Sequence, residues 1–161
     1  MGWYNREEAL AYAKKWAFGR NPIYYNFDPV GGDCTSFISQ CLYAGSKVMN
    51  YSQYGWYYKS GYDKSPSWSG VEYLYNFLVN NKGSGPYARE ENLNNLELAD
   101  IIQLSFDGIR YMHSLIITKI EIIDNRKHIF IASHTDDSYN RDIETYGYTK
   151  ARGIRIEGVR A

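Results

Sequence analysis

The hydrophobic pattern of the chain changes its period near residue 99, and this change restricts the fold more than any other feature. Before it, apolar residues recur at every third or fourth position, which is the spacing of an amphipathic helix. After it, they recur at every second position, which is the spacing of a strand with one buried face. This order predicts the α+β class, with N-terminal helices packed on a C-terminal antiparallel sheet.

Three helices and four strands are expected from these patterns. The residues that begin and end the helices are, in chain order, Asn5 and Gly19, Asp33 and Gly45, and Ser69 and Lys82-Gly83. Ser69 and Glu72 have the spacing of a capping box. The strands are expected at 100–106, 111–123, 127–134 and 152–158.

The length of 161 residues predicts one domain over residues 1–161, large enough to fold without a disulfide or a metal. The 18 basic residues balance the 18 acidic ones, which argues against the positive surface of a nucleic-acid-binding protein. The longest strictly apolar runs have about four residues, whereas a bilayer span needs about 20. The first residues also lack the basic and apolar regions of a signal peptide. We therefore expect no membrane span, no nucleic-acid partner and a monomer.

Cys34 is the strongest chemical signal in the sequence. It lies in the first turn of the second predicted helix, directly after Gly31, Gly32 and Asp33. The partial positive charge of a helix N-terminus favours thiolate over thiol, and the free backbone N–H groups there can hold an oxyanion. Cys34 is therefore a candidate nucleophile, and the alternative is a buried core cysteine.

Cys41 lies further along the same helix and is expected in the core. Helical geometry separates the Cα atoms of the two cysteines by about 10 Å. A disulfide requires roughly 4.4–6.8 Å, so we do not expect the two to pair. Two cysteines without a C-x-x-C motif also argue against a zinc site.

A thiolate mechanism needs a base, and two histidines lie on neighbouring predicted strands. His113 shares a strand face with Leu115, and His134 shares one with Ala132 if its strand stays regular. If these two faces coincide, His113 and His134 are neighbours above the helix that begins with Cys34. The alternative is that each is a hydrogen-bonded core or strand-end histidine.

Residues 46–68 are rich in aromatic side chains and have little periodicity, so we expect a long, ordered loop. Loops of more than about 15 residues inside a compact domain are usually functional. Aromatic rings with polar tips suit sugars and peptide planes, and we expect some of these rings to line a substrate groove beside the thiol while others pack inward. The candidates for the groove are Trp56, Tyr57, Tyr58 and Trp68.

The segment around Cys34 also resembles a known family. The resemblance rests on Gly31-Gly32-Asp33-Cys34-Thr35-x-Phe37-x-Ser39-Gln40-x-Leu42-Tyr43-Ala44-Gly45, with Tyr4-Asn5-Arg6, Asn21-Pro22-x-Tyr24, Ala99-Asp100-Ile101-Ile102 and Ser133-His134-Thr135-Asp136 in order along the chain. These residues resemble the bacterial "putative amidase domain" family, a branch of the papain-like cysteine hydrolases of NlpC and CHAP type. The resemblance implies a papain-like fold.

The resemblance also implies roles for individual residues. Cys34 corresponds to the nucleophile, His113 to the general base, and Tyr24 to a tyrosine whose hydroxyl helps to hold the oxyanion. His134 corresponds to the third polar residue that orients the base, and Asp136 takes that role if the strand ends early. The implied chemistry is amide hydrolysis through a thioester, with no metal or organic cofactor.

The implied substrate is peptidoglycan, cut at either the muramoyl–L-alanine amide or a stem-peptide bond, and the implied location is secreted or wall-associated in a bacterium. Two alternatives stay open. One is a non-catalytic module that binds the cell wall or a glycan through the aromatic segment, although such a module needs no thiol at a helix start. The other is a transamidase or acyltransferase, which would pass the same thioester to an amine instead of water.

Overall fold

Helices dominate the first half of the chain, and most of the sheet comes from the second half, so the fold is α+β. The computed structural model describes residues 2–161, and the first residue of the predicted domain lies outside this range. The helices are α1 (Arg6–Trp16), α2 (Cys34–Ser46), α3 (Pro66–Ser69) and α4 (Val71–Asn80). The strands are β1 (Tyr58–Ser60), β2 (Asp63–Lys64), β3 (Gly85–Glu91), β4 (Ile101–Ser105), β5 (His113–Ile123), β6 (Arg126–Ser133), β7 (Ser138–Asp142) and β8 (Lys150–Arg160).

Six strands form one antiparallel sheet in the order β3-β8-β4-β5-β6-β7, and β1 and β2 form a separate hairpin. The helices pack on one face of this sheet around a core that includes the fully buried Phe37, Trp56 and Trp68. The opposite face is covered by two short 3₁₀ turns, Leu93–Asn95 and Ile143–Tyr146. Because both faces are covered, β4 is buried at every position. Among residues 2–161, no helix combines the length and the apolar content needed to cross a bilayer.

A buried carboxylate fixes α1 to the sheet. Asn5 caps the helix as predicted, since its side chain accepts a hydrogen bond from the Glu8 N–H at 3.1 Å. The Arg6 guanidinium donates to Asp100 Oδ1 at 2.8 Å and to the Ile156 carbonyl oxygen at 2.8 Å. Burial raises the pKa of Asp100, although its hydrogen bonds to Arg6 and to two backbone N–H groups act in the opposite direction. This cluster joins α1 to β4 and β8, and α1 in turn packs against α2.

The end of α2 differs from the prediction. Gly45 is not the stop signal: the helix continues to Ser46, and Lys47 takes the left-handed conformation with φ of 61°. Gly45 is needed for close packing instead. A Cβ atom there would lie 2.6 Å from the Tyr4 ring and 2.7 Å from the Asn5 carbonyl oxygen.

The start of α4 also differs, because the capping box predicted at Ser69 and Glu72 does not form. Ser69 is the last residue of α3, and Gly70 occupies the N-cap position of α4 without a side-chain hydrogen bond. The Glu72 carboxylate binds Arg152 on β8 at 2.7 Å. Glu72 therefore connects α4 to the sheet rather than to its own first turn.

The predicted strands correspond to β4, β5, β6 and β8, whereas the sequence pattern does not predict β3 and β7. Both are edge strands, and each includes charged or polar side chains that interrupt the apolar alternation. Charged residues on an edge strand protect it from pairing with another chain. The ordered segment 46–68 contains the small β1–β2 hairpin, which the sequence also does not predict.

Gly45→Ala should lower the free energy of unfolding by about 2 kcal/mol, because the backbone carbonyl of Asn5 cannot move away from a new Cβ atom. This strain exceeds the roughly 1 kcal/mol that alanine gains over glycine in a helix. Urea denaturation measures the difference. Gly19→Ala is the control, since a Cβ there would meet only the Trp16 ring at an ordinary 3.7 Å. Unchanged or increased stability of Gly45→Ala would contradict the close approach of α1 to α2.

Candidate active site

Cys34 is the first residue of α2, as the sequence predicts, and its side chain is 9% exposed. Its Sγ lies 3.7 Å from Thr35 Oγ1 and 3.9 Å from the carbonyl oxygen of Met112. Met112 directly precedes β5. The thiol therefore lies where the N-terminus of α2 meets the beginning of β5.

The N-terminus of α2 lacks the side-chain cap that its sequence offers. Asp33 occupies the N-cap position, but its carboxylate makes no hydrogen bond to the first turn. Oδ1 accepts a hydrogen bond from the Phe27 N–H at 2.9 Å, and Oδ2 binds His134 Nδ1 at 2.6 Å. The first N–H groups of a helix have no partner within the helix, so those of α2 remain available to an oxyanion formed beside Cys34.

His113 lies beside Cys34, and its Nδ1 is 3.0 Å from Thr135 Oγ1. Burial raises the pKa of the Cys34 thiol, and hydrogen bonds to the thiolate lower it. The groups that lower it are, in order of effect, the His113 side chain, the Ser114 backbone and the side chains of Thr35 and Thr135. The balance leaves the pKa of Cys34 below that of an ordinary thiol.

Cys41 is a core residue, as predicted. It is fully buried, and burial raises the pKa of its thiol well above the ordinary value. Both cysteines are free thiols. Within residues 2–161, no three His, Cys, Asp or Glu side chains are grouped in a way that could hold a metal ion.

The structure does not place His134 against His113. Its Nδ1 binds the Asp33 carboxylate at 2.6 Å, and its Nε2 donates to the Trp16 carbonyl oxygen at 2.7 Å. The ring also stacks on Phe37, with centroids 3.9 Å apart. Both ring nitrogens therefore have buried hydrogen-bond partners. In this geometry His134 is a buried structural residue rather than the partner of His113.

Strand register contradicts the predicted alignment of the two strands that carry the histidines. The prediction requires Leu115 and Ala132 to share a face, but Ala132 pairs with Ile116. Paired residues share a face and neighbours alternate, so Leu115 and Ala132 lie on opposite faces of the sheet. His134 also lies beyond the end of β6, in the turn at 134–137, where its ring binds Asp33 rather than His113.

Thr135 takes the position that the sequence assigns to His134 or Asp136. Asp136 is exposed in a left-handed turn with φ of 50°, and its carbonyl oxygen accepts a hydrogen bond from the Ser138 hydroxyl. In the described part of the chain, the Asp136 carboxylate makes no hydrogen bond to His113. Sequence reasoning misses Thr135 because a hydroxyl is a less obvious partner for a base than a carboxylate or an imidazole. The only feature of the sequence that points to Thr135 is its position between His134 and Asp136.

Tyr24, the predicted oxyanion residue, is held by ring contacts. It stacks on Trp68 with centroids 5.8 Å apart and meets Tyr58 edge-on at 5.0 Å. Burial raises the pKa of its hydroxyl to about 12. Across residues 2–161 this hydroxyl makes no hydrogen bond to Cys34, so its role in holding an oxyanion stays a prediction.

The groove prediction is wrong for Trp56 and Trp68, because both side chains are fully buried and a buried ring cannot touch a substrate. The two indoles lie against each other with centroids 5.0 Å apart, and Trp56 Nε1 donates to Ser39 Oγ at 3.0 Å. They anchor the aromatic segment to α2. Tyr57 and Tyr58 are half-buried, and Tyr58 contacts Tyr24 rather than the thiol.

Two residues that the sequence does not single out lie near the thiol and the imidazole. Phe106 is 37% exposed and packs edge-on against His113 with centroids 5.1 Å apart. Met112 is 47% exposed and contributes the carbonyl oxygen near Cys34. Both lie in the connection between β4 and β5, although the sequence pattern places them inside the predicted strands 100–106 and 111–123. Only the folded structure relates them to the site.

Comparison with known proteins shows which family this chain resembles. Residues 3–156 match a family model described as "Putative amidase domain". A curated relative, "Uncharacterized protein YhbB" from Bacillus subtilis (strain 168), is 35% identical over 118 residues. The alignment covers 71% of this chain and 37% of the relative, so the chain spans well under half of that protein. No solved structure matches significantly.

Iodoacetamide should alkylate Cys34 in the native protein and Cys41 only after unfolding. The lowered pKa of Cys34 gives thiolate at a pH where an ordinary thiol, with a pKa of about 8.5, is still protonated. The raised pKa and complete burial of Cys41 protect it. Peptide mapping by mass spectrometry over a pH series measures both rates. Equal labelling of the two cysteines in the native protein would contradict this assignment.

Thr135→Val should shift the alkylation profile of Cys34 to higher pH, because it removes a hydroxyl that bonds the His113 ring and the thiolate. A shift of one pKa unit slows alkylation about tenfold at a pH well below the pKa. Thr135→Ser keeps the hydroxyl and is the matched control. Asp136→Asn tests the alternative orienting residue, because asparagine tolerates the left-handed conformation of that position. If it shifts the alkylation profile of Cys34 more than Thr135→Val does, Asp136 is the residue that orients His113.

Proposed function

Because the chain belongs to the "putative amidase domain" family, we propose that it is an amide hydrolase with Cys34 as its nucleophile. The observation that carries the proposal is a thiol of lowered pKa beside an imidazole, at a helix N-terminus without a side-chain cap. Cys41 provides an internal comparison, since the same helix holds this second thiol in the core with a raised pKa. Burial alone therefore does not account for the state of Cys34.

Catalysis begins with transfer of the Cys34 proton to His113. The thiolate attacks the carbonyl carbon of the amide, and the π electrons of the carbonyl move to oxygen. The backbone N–H groups in the first turn of α2 donate to the negative oxygen of the tetrahedral intermediate. Thr135 holds the His113 ring through Nδ1, which limits its rotation between the steps.

The second half of the reaction releases both products. The C–N bond breaks, protonated His113 gives its proton to the leaving amine, and an acyl thioester remains on Cys34. His113 then takes a proton from water, and the resulting hydroxide attacks the thioester. The C–S bond breaks, and the free acid leaves while the thiol and imidazole return to their starting state. These steps use no metal or organic cofactor.

We also infer a papain-like arrangement of the NlpC and CHAP type. The nucleophile begins helix α2, the base begins the adjacent strand β5, and the antiparallel sheet packs against that helix. This arrangement lets a helix N-terminus stabilise the thiolate while the first residue of an interior strand provides the base. The family match supports the amidase activity, and the order of these elements supports the fold.

We propose peptidoglycan as the substrate, cut at the muramoyl–L-alanine amide or at a stem-peptide bond, by a monomer secreted to or held at a bacterial cell wall. The support is the resemblance of residues 31–45 to hydrolases that act on the wall. The partly exposed Phe106 ring beside His113 is compatible with small apolar side chains such as that of alanine.

Purified peptidoglycan incubated with the wild-type protein should gain new amino and carboxyl ends, detected by mass spectrometry. Cys34→Ala should release nothing, and His113→Ala should be slower by about 10²–10⁴-fold, as expected when a general base is lost. Cys41→Ala is the matched control and should keep its activity. In ¹⁸O-labelled water, hydrolysis places one ¹⁸O atom in each new carboxyl group, whereas transfer to an amine places none.

Other results would change the assignment in distinct ways. Equal release by Cys34→Ala would exclude the cysteine mechanism. Cleavage of a small peptide amide without release from peptidoglycan would contradict peptidoglycan as the substrate but support amide hydrolysis as the reaction. Co-sedimentation with peptidoglycan, without release from any amide, would favour the non-catalytic binding module.

A further inference from the structure

A cleft with a volume of about 930 Å³ lies between residues 50–57 and α4. Its lining includes neither Cys34 nor His113. The buried indoles of Trp56 and Trp68 lie between it and Tyr24, because Phe77 at its wall stacks on Trp56, and Trp68 stacks on Tyr24. The tyrosines of the aromatic segment thus line a cleft of their own.

One wall of this cleft is a single face of α4. Tyr73, Asn76, Phe77 and Asn80 all line it, and their spacing of three, four and seven residues places them in one row along the helix. Phe77 is buried and forms an apolar floor, whereas the Tyr73 ring is 63% exposed. The face therefore alternates flat aromatic surface with side-chain amides.

The opposite wall carries three more tyrosines, Tyr51, Tyr54 and Tyr57. Tyr51 and Tyr57 lie together with centroids 5.4 Å apart, and the Lys59 ammonium lies over both rings at 5.3 and 5.9 Å. These contacts fix the orientation of the pair. Tyr54 is 89% exposed at the tip of the loop. Tyr54 and Tyr73 are thus the open aromatic surfaces of the two walls.

The backbone holds Tyr54 in a conformation that a bulky residue rarely adopts, with φ of 61°. Asn50 and Trp56 close the loop with two backbone hydrogen bonds of 2.7 Å, and the Asn50 side chain accepts from the Ser52 N–H at 2.9 Å. Gly55 packs so tightly that a Cβ there would lie 2.1 Å from the Asn50 carbonyl oxygen. The loop is rigid, and it keeps an exposed tyrosine where asparagine or glycine would be less strained. Such strain is concentrated at ligand-binding positions.

The polar groups of the cleft are mostly amides and hydroxyls. Gln53 and Asn76 line it, and within residues 2–161 their side-chain amides make no hydrogen bond to the protein. Its lining includes Lys82 but no aspartate or glutamate. The aromatic faces suit the apolar C–H surface of a sugar ring. The free amides can both donate to and accept from its hydroxyl and acetamido groups.

From this combination we propose that the cleft binds an oligosaccharide chain at a site separate from Cys34. The proposal does not depend on amide hydrolysis. Tyrosine-rich grooves also bind proline-rich peptides. The observations favour a sugar, because the free amides provide paired donors and acceptors that a proline-rich segment, with its few N–H groups, cannot fully use.

Titration calorimetry with chitohexaose, a neutral oligomer of N-acetylglucosamine, tests the proposal on the Cys34→Ala protein, which cannot consume a substrate. Tyr54→Asn and Tyr73→Ala should each weaken binding about tenfold, as expected when a principal aromatic contact is lost. Asparagine tolerates a positive φ, so Tyr54→Asn should keep or raise the thermal stability. Tyr62→Ala is the matched control, because Tyr62 is fully exposed in the β1–β2 turn and does not line the cleft.

Three outcomes would overturn the site. The first is that the folded protein binds neither chitohexaose nor cellohexaose. The second is equal weakening in Tyr62→Ala, which would mean nonspecific contact with exposed rings. The third is tighter binding of a proline-rich decapeptide than of either sugar, with loss in Tyr54→Asn, which would assign the cleft to peptides. A lack of amide hydrolysis by the wild type would leave these results unaffected, so the two proposals fail independently.

Discussion

The buried contact between Asp33 and His134 is the interaction on which the geometry around the thiol depends. Its two side chains are almost inaccessible to solvent, and the Arg20 guanidinium lies 3.8 Å from the same carboxylate. The His134 ring also bonds the Trp16 carbonyl oxygen at the end of α1, so one pair joins α1, the start of α2 and the end of β6. Leaving a buried hydrogen-bonding group without its partner typically costs about 1–3 kcal/mol. Because Asp33 is committed to this pair, it cannot cap α2, and the helix N-terminus stays open beside Cys34.

A line of hydrogen bonds continues from the thiol through the sheet. Thr35 Oγ1 and Ser114 Oγ are 2.9 Å apart, and Gln103 Nε2 donates to Ser114 Oγ at 3.2 Å. Gln103 Oε1 accepts from Arg152 Nε at 2.9 Å, and Arg152 binds Glu72 on α4. Each of these buried polar groups therefore has a partner, which fixes the strand that begins with His113. Satisfied buried networks of this kind favour one arrangement of a core over its alternatives.

The parts of this structure that follow from local rules can be predicted from the sequence. The helix that begins with Cys34 and the strand that begins with His113 both follow from local periodicity and turn residues. The position of His134 does not, because this residue lies in the turn after β6 and is held by tertiary contacts with Asp33 and Trp16. The buried Trp56 and Trp68 likewise could not be distinguished from exposed rings, because a segment without a period does not indicate which side chains face inward. Local patterns thus select Cys34 and His113 as candidates, while tertiary contacts decide which side chain bonds the His113 ring and where the tyrosine-lined cleft lies.

The order of strands in the sheet has a consequence for synthesis on the ribosome. Strand β8 is made after every other strand, yet it lies between β3 and β4. Until Lys150–Arg160 has left the exit tunnel, both neighbours carry unpaired backbone groups, and the Arg6–Asp100 cluster lacks its contact with Ile156. Unpaired strand edges are prone to join other chains. The nascent domain is therefore vulnerable to aggregation until β8 emerges, and this is the stage at which a chaperone would protect it.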